Sequence, residues 1–170
     1  NIAYAHYLIA NIYFEQILDE KKDLEPLTKT KEKIFFYLNN FPNNDYSIDL
    51  QFKLDLVNNQ IAAKELYIAK YYAETKKWIA AINRLKVIVD EYDQTIFVEE
   101  ALHRLVEIYY KIGLEEEAKA TAIILGYNYN SSEWYQKSYK LLNKNYKPLK
   151  KKSLKKNQGL IKRTIKKILN

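Results

Sequence analysis

The sequence predicts an all-α protein, a solenoid of antiparallel helix pairs. Apolar residues recur at three- and four-residue spacing along nearly the whole chain, and strand-like alternation is never sustained. Only three glycines and three prolines occur in 170 residues, too few to punctuate the many turns of a β-sandwich or barrel. Helical segments follow one another across short loops, the layout in which internal repeats are sought first.

The elements read in order as follows. From about Ile2 to Leu18, the residues Leu8, Ile12, Tyr13 and Ile17 form an apolar stripe at helical spacing. A charged loop, Asp19 to Leu27 with Pro26, precedes a helix over Thr28 to Asn40 that carries Ile34, Phe35 and Leu38 on one face. Phe41-Pro42-Asn43-Asn44 stops it, because proline cannot continue a helix and asparagine favours turns. Asp45 or Ser47 then caps a long helix reaching about Lys76. Trp78 to Tyr92 forms the next, and Thr95 caps a segment ending at Lys111, with Gly113 as its C′ stop. Glu115, Glu116 and Glu117 open the following helix, where carboxylates complement the macrodipole. Ser131 caps the last one, to about Asn143.

A 51-residue offset aligns Phe41 with Tyr92, Tyr46 with Phe97, Asp49 with Glu100, Lys53 with Arg104 and Leu54 with Leu105. That offset spans one repeat plus an insertion. Within each unit a small residue precedes an aromatic by three on the first helix, as in Ala10 with Tyr13 and Ala69 with Tyr72, and a small residue, Ala81 or Ala118, sits on the second. Small side chains let two helices approach while the aromatic fills the gap. This is the grammar of the tetratricopeptide repeat.

The composition divides the chain into a repeat domain, 1–145, and a lysine-rich tail, 146–170. Residues 1–133 hold 15 basic and 21 acidic side chains, whereas 134–170 hold 13 basic and none acidic, so the net charge of +7 is a sum of unlike parts. The tail reads as disordered chain or, over Leu160 to Leu169, as a short basic amphipathic helix, with anionic lipid headgroups as its functional alternative. Only three of the 28 basic residues are arginine, the residue that reads phosphate and guanine bidentately, so the charge is poor support for a nucleic-acid partner and none is expected.

Catalysis and cofactors find no support. Cysteine is absent, which removes thiolate metal sites and cysteine nucleophiles, and Gly113, Gly126 and Gly159 stand too far apart for a phosphate loop. His6 and His103 are the only histidines; each reads as structural or surface-exposed, without a ligand-spaced carboxylate partner. Neither a catalytic residue nor a metal or cofactor site is expected. Tyr4, Tyr7, Asn11, Phe14, Tyr110 and Lys111 fall on first-helix positions that face the inner groove of a tetratricopeptide superhelix, where peptide contact and plain exposure are equally compatible with them.

The run Trp78-Ile79-Ala80-Ala81-Ile82-Asn83-Arg84, then Ile108-Tyr109-Tyr110-Lys111-Ile112-Gly113, and finally Leu125-Gly126-Tyr127-Asn128-Tyr129 with Ser132-Glu133-Trp134-Tyr135, resembles the family of the outer membrane protein assembly factor BamD over roughly residues 3–142. The family's Tyr-Pro closing pair stands here as Tyr92-Asp93 and Tyr129-Asn130, and the tail has no match. The resemblance implies a non-enzymatic scaffold of the β-barrel assembly machinery at the periplasmic face of the outer membrane. Its implied partners are the POTRA domains of the barrel subunit, unfolded outer-membrane proteins and other assembly lipoproteins, and its lipid anchor would lie upstream of Asn1. Arg84, with Asn83, matches the family's Asn-Arg pair and is expected to contact an acidic residue of the barrel subunit. Another periplasmic tetratricopeptide adaptor of envelope or division machinery is the alternative.

Overall fold

The computed structural model of the protein describes residues 2–19 and 24–143. Among these residues there are seven α-helices and no strand: α1 (Ile2–Asp19), α2 (Glu25–Asn40), α3 (Ser47–Glu74), α4 (Trp78–Glu91), α5 (Val98–Lys111), α6 (Glu115–Asn128) and α7 (Glu133–Leu142). Each helix packs on the next through α6, giving three antiparallel pairs, and α7 closes against both α5 and α6. The alanines that define the repeat, Ala10, Ala69, Ala81 and Ala118, are all buried. They join Ile34, Leu50, Val57, Leu85, Ile88 and Val106 in one continuous core, the stacking that gives a solenoid its stability. The tail 146–170, including the amphipathic stretch expected within it, lies outside the described residues.

The imperfect period has a definite location. α3 and α5 begin 51 residues apart, whereas α4 and α6 begin 37 apart, and the difference resides in α3, which has 28 residues where α5 has 14. Since a helix turns every 3.6 residues, this insertion is close to four whole turns and keeps the two ends of α3 in phase. Its first half packs under α2, and its second half carries α4.

Turns recur with the repeat. Phe41, Tyr92 and Tyr129 end α2, α4 and α6 in nearly the same backbone conformation, with each N–H donated to a carbonyl four residues back. The hydroxyls expected to cap the following helices act elsewhere. Ser47 Oγ donates to the Phe41 carbonyl at 2.7 Å and Thr95 Oγ1 to the Tyr92 carbonyl at 2.7 Å, so both close the preceding turn, and the N-cap positions are Tyr46 and Phe97. For α7 the cap is Ser132 rather than Ser131, because Ser132 has the extended backbone that aims its Oγ at Trp134 N–H, 3.1 Å away. α2 starts at Glu25, three residues before the expected Thr28, since Pro26 fits the first turn, where no N–H is needed.

Two apolar stripes also differ from expectation. On α1 the core face is Ala3, Ala10 and Ile17, while Leu8 and Ile12 are 42% and 55% exposed. On α2, Ile34 is fully buried and Phe35 is exposed. Both helices are apolar on more than one face; the buried face holds Ala3 and Ala10 on α1 and Leu27, Thr30, Ile34 and Tyr37 on α2.

Candidate functional site

On α5 the spacing of Glu100, Arg104, Glu107 and Lys111 by four, three and four residues sets all of them on one face. This face forms one wall of a groove whose other walls are α3, α4 and α7. Lys70 of α3 reaches Glu100 at 2.7 Å. Arg104 contacts Glu100 at 3.2 Å and Glu107 at 2.7 Å. Burial pushes the Glu100 carboxyl up, and the bonds from Lys70 and Arg104 outweigh it and leave it below the usual carboxylate range.

His103 is buried beside this row. Its Nδ1 lies 2.8 Å from Ser138 Oγ of α7 and its Nε2 3.5 Å from Glu107, while its ring sits 5.1 Å from that of Trp134. A carboxylate partner does therefore stand one turn along from His103, where none was expected. The imidazole, together with Arg104 and against the effect of burial, holds Glu107 down to about 2. Trp134 also receives Arg104 of α5 and Lys137 of its own helix, at 5.7 and 4.0 Å from its ring centre, so α7 is fastened to α5 by one aromatic that meets His103 and Arg104.

The groove contains two adjoining cavities. One, of about 180 Å³, lies between Ala69, Lys70, Leu85 and Arg104. The larger, about 640 Å³, opens between Trp78, Ile108, Tyr110, Lys111 and Leu141. Tyr110 and Lys111 both line this larger cavity, and Lys111 lies 5.0 Å over the Trp78 ring.

The other four expected groove residues are gathered on α1, around a side chain that the sequence reading did not assign to the groove. Lys53 of α3 bonds to Asn11 and, at 2.6 Å, to Asp49, and it stands 5.7 and 5.6 Å over the rings of Tyr7 and Phe14. Tyr7 donates to Asp49 at 3.1 Å and stacks on Tyr46 at 4.3 Å; Tyr4 approaches Tyr46 at 5.7 Å. No hydrogen bond, ion pair or ring contact joins this cluster to Tyr110 and Lys111 among the described residues. The signal for Lys53 was the repeat itself: Lys53 with Asp49 aligns with Arg104 and Glu100, and both are ion pairs one turn apart.

Arg84 and Asn83 stand apart from both clusters, on α4. Arg84 Nη1 is 3.2 Å from each carboxylate oxygen of Glu65 on α3, and Asn83 is exposed. No group of three or more His, Cys, Asp and Glu side chains among the described residues could hold a metal ion, and no described helix is long and apolar enough to cross a membrane.

The arrangement offers surfaces of paired charge and aromatic rings. Comparison with known proteins places it among similar chains. A family model described as YfiO, outer membrane lipoprotein, matches residues 1–124. The chain is 43% identical over 146 residues to the outer membrane protein assembly factor BamD of Rickettsia prowazekii, covering 86% of this chain and 58% of that one. It is 41% identical over 142 residues to the protein of that name from Caulobacter vibrioides, covering 84% and 47%. With the one from Haemophilus influenzae it shares 36% over 88 residues, 52% and 34% of the two chains. The chain spans about half the length of the Rickettsia and Caulobacter relatives.

Proposed function

We propose, from the premise that the chain belongs to the YfiO outer membrane lipoprotein family, that it is part of a non-enzymatic scaffold subunit that supports assembly of β-barrel proteins into the outer membrane from its periplasmic side. The observation that carries this reading is the similarity to assembly factors BamD along 86% of the chain. Stacked helix pairs suit the task, because a solenoid presents extended surface to partners without a closed active site.

Within this reading the α4 surface bearing Asn83 and Arg84 docks the periplasmic POTRA domains of the barrel subunit. Only Nη1 of Arg84 is engaged by Glu65, so Nε and Nη2 remain to donate to a partner carboxylate, and Glu65 fixes the direction in which they point. The inner faces of α1 and α5, with Tyr4, Tyr7, Asn11 and Phe14 on one and Tyr110 and Lys111 on the other, take up segments of unfolded outer-membrane proteins. Other assembly lipoproteins are further partners, and membrane attachment is through a lipid anchor.

The test is retention of the matching barrel subunit's periplasmic region by the immobilised chain. Asn83→Lys and Arg84→Gln, each with its unfolding midpoint measured alongside, should weaken retention by about tenfold. Wild-type retention by both folded variants would remove the α4 surface from the interface, and failure of the unaltered chain to retain the partner at all would overturn the scaffold reading.

A further inference from the structure

The mouth of the α3/α5/α7 groove carries cationic charge that no ion pair among the described residues neutralises. Two carboxylates of the groove are engaged: Glu100 by Lys70 and Arg104, and Glu107, which lines both hollows of the mouth, by Arg104 and His103. At the mouth, Lys111 is held over Trp78, and Lys140 lines the adjoining hollow beside Leu141. Neither makes an ion pair among the described residues. Lys137, next to them, rests on Trp134 and has a longer contact of 3.7 Å to Glu133. One carboxylate at the mouth, Glu74, likewise lacks an ion pair among the described residues. A cation seated on an aromatic face is positioned without a counter-ion, so its charge stays available to a ligand. Ile108 and Leu141 give the same cavity an apolar wall.

From this we infer that the groove mouth binds an acidic, extended peptide segment, with its carboxylates on Lys111 and Lys140 and an apolar side chain between Trp78, Ile108 and Leu141. Selectivity follows from the surroundings. Residues 1–133 carry 21 acidic against 15 basic side chains, so the body repels an acidic segment except at this mouth, and like-charge repulsion elsewhere sharpens the choice of site. The inference depends on reading the inner face of α5 as a peptide groove and adds the sign of charge that it selects.

The test uses the full chain and two synthetic peptides of one length, each with a central leucine, one flanked by Asp and Glu and the other by Lys, with titration calorimetry at low and at physiological salt. The lysine-rich residues 144–170 attract an acidic peptide whatever the groove does, so the comparison is between groove variants. Lys111→Gln combined with Lys140→Gln should weaken the acidic peptide at least fivefold, and Glu74→Gln should tighten it two- to threefold. Equal affinity of all three proteins for the acidic peptide overturns the inference and puts binding elsewhere. Equal binding of both peptides, lost in the double variant, leaves the groove reading standing and overturns the selection by charge. No binding of either peptide overturns both.

Discussion

Arg84 of α4 places one guanidinium nitrogen 3.2 Å from both carboxylate oxygens of Glu65 on α3. The two ends of this pair differ in burial: the Glu65 side chain is 7% exposed and that of Arg84 42%. Removing the arginine leaves a carboxylate in the α3/α4 interface without its cation, whereas removing the carboxylate leaves a guanidinium that water can reach. Arg84→Ala should therefore cost about 2 kcal/mol, between the roughly 3–5 kcal/mol of a fully buried pair and the roughly 0–1 kcal/mol of an exposed one because half the pair is solvated, and Glu65→Gln clearly less. Urea unfolding followed by circular dichroism measures both. An Arg84→Ala loss no greater than that of Glu65→Gln would show that the pair is not anchored from the buried side.

The two hairpins α3/α4 and α5/α6 close by the same device with different residues. Gly113 and Lys76 both take positive φ, 84° and 60°, and in each hairpin the next residue's N–H reaches back five residues, Leu114 to Tyr109 and Lys77 to Tyr72. This is a Schellman turn, in which glycine is favoured because a Cβ strains the left-handed backbone. Lys76→Gly should stabilise the protein by about 0.5–1 kcal/mol, and Gly113→Ala should destabilise it by about 1 kcal/mol. The space around Gly113 is open, so the second cost is conformational alone. Denaturant midpoints that shift in the same direction for both substitutions would contradict this account.

Gly126 has a different reason to be glycine. A Cβ there would come within 2.5 Å of Tyr135 Cε2, on the neighbouring α7. Alanine would gain about 1 kcal/mol of helix propensity in α6 but force the Tyr135 ring off its packing, at about 1–3 kcal/mol. The net effect of Gly126→Ala should be destabilising, and Tyr135→Leu in the same chain should recover part of it. A Gly126→Ala protein that melts above the unaltered one would mean that α7 yields freely.

Features that repeat were legible in the sequence, and features set by which neighbour a side chain meets were not. Ala10, Ala69, Ala81 and Ala118 marked the helix contacts, because only a small residue fits there and periodicity exposes it. Gly113 marked its turn for the same kind of reason, but Lys76, in the equivalent turn, carries no such sign. Leu8 and Ile12 misled because α1 is apolar on two faces, and spacing alone does not say which one meets α2. Ser47 and Thr95 were read as caps since their hydroxyls stand at helix starts; a carbonyl of the preceding turn competes for each, and it wins. Helix phase sets Tyr110 and Lys111 side by side on α5, and both line one cavity. Lys53, by contrast, gathers partners from α1, 42 residues away for Asn11, which no local pattern contains.

The contacts of Glu107 along α5, beside the seam with α7, should make stability depend on pH on the acid side. Glu107 is held to about 2 in the folded protein by the His103 hydrogen bond first and by Arg104 as well, against an ordinary value of 4.5. The folded carboxyl is thus harder to protonate than the unfolded one, so its contribution is fully present above about pH 4.5 and is lost as pH falls toward 2. The charged and titratable groups that face it are His103, Arg104 and, through Arg104, Glu100 on α5, with Lys137 and Lys140 of α7 sharing its hollow. Glu100 is also held low, so it adds to the same slope in both the unaltered chain and a Glu107 variant. Urea midpoints compared between pH 4.5 and 2.5 should fall more steeply for the unaltered chain than for Glu107→Gln. His103→Gln should flatten the slope in the same window by removing the main cause of the depressed carboxyl. Parallel slopes for all three proteins would mean that Glu107 titrates alike in folded and unfolded chains, and that its contact with His103 adds no charge-dependent stability to α5.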